Sequence, residues 1–130
     1  MRLRPFALIA LALVGAEVRA QQDGVQFYQR EVEPILARNC YECHGTRDKK
    51  IRGHLWLRSR HNVLAGGKSG PIVDTVDPEK SRILRFINHE DAEHQMPPDN
   101  KLAAAEIEIL TEWVLRGAPM PIVENEWVYE

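Results

Sequence analysis

Apolar residues first gather in one unbroken run, Phe6 to Ala16, and then spread into helical spacing. From Val25, the positions Tyr28, Val32, Ile35 and Leu36 fall on one face of a 3.6-residue period, which predicts a helix over residues 25–39. Pro34 inside this stretch predicts a kink, or a second helix with Pro34 at its first position. Residues 40–53 turn polar and carry the charged run Arg47-Asp48-Lys49-Lys50, the pattern of an exposed loop. Leu55 and Leu57 alternate briefly, and residues 58–65 predict a short helix. Gly66-Gly67-Lys68-Ser69-Gly70-Pro71 is turn chemistry. Asp77-Pro78 is an N-cap and first-residue pair that predicts a helix through Ile87. Residues 88–101 are polar and contain Met96-Pro97-Pro98, which excludes a helix interior. A last helix is predicted over about residues 103–116. Ala103, Ile107, Leu110 and Val114 line one face with Trp113 beside them, and Gly117 then Pro119 close it. Residues 121–130 show no period.

The first apolar run is eleven residues long, too short to span a bilayer and of the right length for the core of a secretory signal. Arg2 and Arg4 precede it, and Val18-Arg19-Ala20 offers a cleavage site. The expected organisation is a signal peptide at 1–20, one domain at 21–120 and a tail at 121–130. Cleavage after Ala16 is the alternative, and a buried N-terminal helix is the competing structural reading. On the main reading, the exported domain has no membrane span.

Composition excludes more than it assigns. The 130 residues are 44% hydrophobic and 28% charged, ordinary for one globular domain. Seventeen basic residues against nineteen acidic ones leave a net charge of −2, without the basic stripe that nucleic-acid binding requires. Removal of residues 1–20 leaves 14 basic and 18 acidic residues, a net charge of −4. Two cysteines cannot make a disulfide framework.

Those two cysteines carry the chemistry, in Cys40-Tyr41-Glu42-Cys43-His44. C-x-x-C-H is the attachment motif for c-type haem. Two thiols must add to two vinyl groups along one porphyrin edge, and residues i and i+3 of a helical turn are neighbours. His44 follows directly and can ligate the iron from below. With two cysteines and five histidines in 130 residues, random placement gives this motif about once in 1,700 sequences. Three other readings compete: a thioredoxin-like redox pair, which wants a βαβ setting; a zinc site completed by His54 or His61; and a plain Cys40–Cys43 disulfide.

A sixth iron ligand must come from a segment that reaches the opposite haem face, and Met96 is the best candidate. Its thioether is soft and neutral, which favours ferrous iron. Pro97 biases Met96 towards an extended conformation and, with Pro98, stiffens the loop. His94 or His89 as ligand, and Met96 as an apolar gap-filler, are the alternatives. His54 and His61 read as surface histidines.

Together, the helix into Pro34-Ile35-Leu36, Cys40 to Gly45, the stretch 55–60, the Gly66–Pro71 turn and Asp77-Pro78 to Ser81 resemble the planctomycete cytochrome c family. Met96-Pro97-Pro98, Leu102 and the stretch from Trp113 to Ala118 extend the resemblance, which covers roughly residues 26–119. It implies a mostly α cytochrome c fold, with first and last helices packed across each other around one covalently bound haem c. It also implies Cys40 and Cys43 as thioether anchors and His44 and Met96 as axial ligands. Arg58 departs from the family, which tends to have an acid there, as does Ala103, where a hydroxyl cap is usual. Glu126 to Tyr129 is similar to the opening of a following section in longer members.

Two supporting roles are expected. The carbonyl of Pro71 is a candidate acceptor for the second ring N–H of His44. Arg52, Arg60 or Lys68 are candidates to face the haem propionates. The expected function is single-electron transfer to an unidentified redox partner, by a carrier and not an enzyme. The alternative is a gas or peroxide sensor, or a catalytic haem domain, with an open sixth position.

Overall fold

A computed structural model describes residues 5–46 and 51–123, with side chains described from residue 14. Arg2, Arg4, the run 47–50 and residues 126–129 lie outside the described residues. The chain is mostly helical, and among the described residues there is no strand, only an isolated bridge between Gly67 and Gly70.

The helix predicted over 25–39 is the end of a longer run. Helix α1 spans Pro5–Phe27, a π-helical turn spans Tyr28–Val32, and α2 spans Glu33–Asn39 with Pro34 in its first turn. Pro34 has no N–H and its ring crowds the carbonyl four residues back, that of Arg30. The widened turn absorbs this conflict, with Glu33 N–H donating to the Tyr28 carbonyl five residues back. The predicted face is nonetheless the buried one: Tyr28, Val32, Ile35 and Leu36 all belong to the core. Residues 14–23 are exposed, and burial begins at Gly24.

Helix α6, Ala104–Leu115, supplies the opposing surface through Leu110, Trp113 and Val114. Trp113 meets Tyr28 with ring centroids 6.0 Å apart. Its indole N–H donates to the Pro119 carbonyl at 3.0 Å, folding the chain back after Gly117. Trp113 is fully buried; truncating such a residue in a core costs about 3–5 kcal/mol. Ala103 caps α6 without a side-chain oxygen of its own. Glu106 compensates, since one carboxylate oxygen accepts from the Ala103 N–H at 3.2 Å and the other pairs with Arg38 of α2 at 3.1 Å.

Between these helices lie three short ones: α3 over Tyr41–His44, α4 over Arg60–Ala65 and α5 over Arg82–Ile87. Helix α4 starts two residues later than the pattern suggested, because Ser59 caps it by accepting from Asn62 N–H. Asp77-Pro78 opens a 3-10 turn, Pro78–Lys80, which stops at Ser81. The Ser81 hydroxyl is buried and accepts from the Asp74 N–H at 2.9 Å, so the chain re-enters a helix only at Arg82. In the glycine turn, Gly66 has φ +78°, and a Cβ there would sit 2.2 Å from the Gly70 carbonyl oxygen. This turn is docked by Lys68 N–H donating to the Gly53 carbonyl at 2.8 Å.

Candidate functional site

Cys40, Cys43 and His44 lie at one helical turn, held by His44 N–H donating to the Cys40 carbonyl at 2.9 Å. They line a cleft together with Met96, which arrives from the loop after α5. Apolar side chains, among them Leu36, Leu57, Ile83, Phe86 and Leu110, make most of the remaining wall. Helices α2, α5 and α6 all contribute, so the cleft forms where the helical core opens.

His44 is fixed from two directions by the extended segment 55–57. Leu57 N–H donates to the His44 carbonyl at 2.8 Å, and His44 Nδ1–H donates to the Leu55 carbonyl at 3.2 Å. The expected acceptor, Pro71, is corrected to Leu55. The Leu57 bond draws this segment alongside His44, whereas Pro71 is exposed. A carbonyl only accepts, so the proton sits on Nδ1 and the lone pair on Nε2. Burial pushes the imidazole below its ordinary 6.5 and so favours the neutral form that ligates metals, partly offset by bonds to the Leu55 and Arg52 carbonyls.

The cysteines are both half-buried and free. Burial, reinforced by the neighbouring Cys43, pushes the Cys40 thiol up to about 11. Cys40 is therefore a protonated thiol at neutral pH, unlike the depressed thiolates of redox pairs. Tyr41, between them, points into the core and shares a hydroxyl–hydroxyl bond of 2.9 Å with Tyr28. The guanidinium of Arg58 lies 4.9 Å from the Tyr41 ring centroid and approaches the Gly45 carbonyl. That gives Arg58 a role in closing the motif turn, which the sequence had left open.

Met96 is half-buried against the core, and its N–H donates to the Phe86 carbonyl at 3.1 Å. The two rival histidines face elsewhere. His94 donates from Nδ1 to Asp91 at 3.2 Å and stacks on Phe86, and His89 bonds the Pro97 carbonyl at 3.0 Å. Neither lines the cleft. Among the propionate candidates only Arg52 reaches it; Arg60 bonds the Gly117 carbonyl and Lys68 sits in the glycine turn. Among the described residues, no group of three or more His, Cys, Asp or Glu side chains is placed to hold a metal ion, which leaves the zinc reading without support.

The donor set suits a haem c: two thiols one helical turn apart, a neutral imidazole, a thioether lining the same cleft and apolar walls. The walls leave about 170 Å³, short of the ~300–1,000 Å³ of cofactor clefts, so seating a macrocycle requires them to part. Residues 40–100 match the planctomycete cytochrome C family. Over this segment the chain is similar to that family. The match begins at Cys40 and ends four residues past Met96, so it includes Cys40, Cys43, His44 and Met96, whereas Leu36 and Leu110 of the cleft lie outside it. Neither a curated protein nor a solved structure matches the chain. A cytochrome c family domain implies haem c, and members typically carry electrons.

Proposed function

We propose that this chain is an exported, mono-haem c-type cytochrome that passes single electrons between partner proteins. One observation carries the reading: Cys40, Cys43, His44 and Met96, drawn from segments far apart in sequence, line the same apolar cleft. Bound there, a haem c supplies a one-electron iron couple. Cys40 and Cys43 are the thioether anchors, and His44 presents Nε2 because Leu55 holds its Nδ1 proton. Met96 is the sixth ligand, whose weak, neutral thioether favours the ferrous state. The apolar walls exclude water and so limit the reorganisation that accompanies a change of charge. With both axial positions filled, the reading is an electron carrier and not an enzyme.

Export rests on the basic and apolar leader at 1–20, with the domain at 21–120. One observation supports it: residues 14–23 are exposed, with burial beginning only at Gly24. The mature N-terminus is then Gln21, or Glu17 with the alternative cut, which N-terminal sequencing of the exported protein reads directly. Detection of Met1 on the haem-bearing form contradicts it.

Carbon monoxide tests the axial assignment. Reduced wild-type protein should resist it, whereas Met96→Ala should bind it and show a lower midpoint potential. Met96→His should lower the potential yet stay closed. Ready binding by the unmodified protein would favour the sensor reading. An unchanged Met96→Ala spectrum, with an open iron in His94→Ala, would make the site bis-histidine.

A further inference from the structure

The Met96 loop has few bonds of its own, and two of them converge on the last turn of α5. The Phe86 carbonyl accepts both from His89 N–H and from Met96 N–H, each at 3.1 Å. One residue beyond Met96, the Pro97 carbonyl is met by His89 Nε2 at 3.0 Å. Met96 is therefore bracketed. The bond before its side chain runs to Phe86, and the bond after it runs to the residue that itself hangs from Phe86.

His89 is in the left-handed region, with φ 57°. Side chains other than glycine seldom adopt it, though histidine and asparagine do so more often than most. This conformation lets the chain reverse after α5 while the ring lies across the returning loop. Because a carbonyl offers no proton, Nε2 must donate. Pro97 and Pro98 supply no N–H of their own, so this stretch cannot be tied down by its own amides. A side-chain donor reaching the Pro97 carbonyl fills that gap.

We infer that His89 is a positioning residue: its imidazole, by donating to the Pro97 carbonyl, holds the Met96 thioether over the cleft as a ligand. This rests on the Met96 reading and adds a residue that touches neither the cofactor nor the ligand atom. Loss of the ring bond frees the loop to swing away and exposes the iron, while the proximal anchors at Cys40, Cys43 and His44 are untouched.

The test uses the haem-loaded protein and compares His89→Ala, His89→Gly and His89→Gln, with Met96→Ala as reference. Glycine removes the ring while tolerating the positive φ, and so separates the hydrogen bond from backbone strain. Glutamine restores a donor at similar reach. The readouts are the carbon monoxide association rate of the reduced form, the absorption of the Met–iron bond and the thermal midpoint. Loss of one hydrogen bond should raise the methionine-detached population, and with it the binding rate, by about five- to tenfold in both Ala and Gly variants. Glutamine should return the rate towards wild type, and the thermal midpoint should fall further in His89→Ala than in His89→Gly, because only alanine adds backbone strain, while the binding rates of those two stay alike. If Ala and Gly bind carbon monoxide no faster than wild type while Met96→Ala does, the positioning role is wrong. Opening by Ala alone also overturns it, because strain and not the ring bond would then be responsible. A Met96→Ala variant that stays closed removes the ligand reading itself, and this inference with it.

Discussion

On the His44 side of the cleft, the backbone of His44 is tied at both ends, to Cys40 and to Leu57, and its ring is tied to Leu55. Thr46 adds a bond to the Tyr41 carbonyl at 3.0 Å, and Tyr41 reaches Tyr28 in the core. On the Met96 side, Met96 N–H donates to the Phe86 carbonyl, Glu90 N–H donates to the Arg85 carbonyl, and imidazoles meet Pro97 and Asp91. The first wall is continuous with the hydrophobic core; the second is a polar loop leaning on α5. Proteins open first where buried contacts are few and bonds are exposed. The two sides are therefore expected to fail differently: the His44 side together with the fold, the Met96 side by itself.

The largest effect should come from breaking the first wall. Cys40→Ala with Cys43→Ala removes both proposed thioether anchors, and haem should then leave the polypeptide completely on acid and organic extraction. The domain should also lose cooperative unfolding, because the helices around the cleft lose what fills it. Retention of haem through extraction of the unmodified protein, with loss in the double variant, checks this directly. Extraction of all haem from the unmodified protein would remove the thioether reading.

The contrast between the walls also explains what was legible in the sequence. Cys40, Cys43 and His44 announce themselves because their chemistry demands fixed spacing, and Met96 stands out as a thioether before two prolines in a polar loop. The helix faces were legible too, since Tyr28, Val32 and Leu36, and later Leu110 and Val114, keep their period. The Leu55 carbonyl was not legible, because every residue carries one and only the fold selects which is near His44. The break at Ser81 was hidden for a similar reason. Its hydroxyl turns to the Asp74 N–H, a preference that local propensity does not encode. His89 looked like a rival ligand, and only the return path of the loop gives its ring another partner.

A smaller effect sharpens the claim that the His44 side is part of the core. Burial pushes the phenols of both Tyr28 and Tyr41 up, and their hydroxyls satisfy each other at 2.9 Å. Tyr28→Phe leaves the Tyr41 hydroxyl without that partner and should cost about 1–3 kcal/mol in chemical denaturation. Adding Tyr41→Phe should recover part of that loss, since a pair of apolar rings leaves no orphan. Neither change should alter the carbon monoxide rate. A single-variant cost below the error of the measurement would show that the pair contributes nothing, and that the motif turn is less firmly joined to the core than its geometry suggests.

The smallest expected effect lies on the other wall and depends on pH. The Asp91 carboxylate accepts from His94 Nδ1–H at 3.2 Å and from Glu93 N–H at 3.1 Å. The His94 bond, reinforced by the Glu93 amide, holds this carboxyl below its ordinary 3.8. A depressed carboxyl favours the folded loop above its unfolded value and loses that contribution as pH falls through the folded one. The Met96 loop should therefore loosen below 3.8 as Asp91 takes up its proton. Asp91 is only half-buried, so water and salt screen the interaction and the change should be modest. Asp91→Ala should show a slightly faster carbon monoxide rate already at neutral pH, and a flatter rise in that rate as the solution is acidified. Tyr28→Phe, measured alongside, should keep the wild-type profile, because its bond belongs to the other wall. Matching acid profiles for Asp91→Ala and wild type would mean that Asp91 does not steady the loop, leaving that work to the Phe86 and Arg85 carbonyls and to the His89 ring.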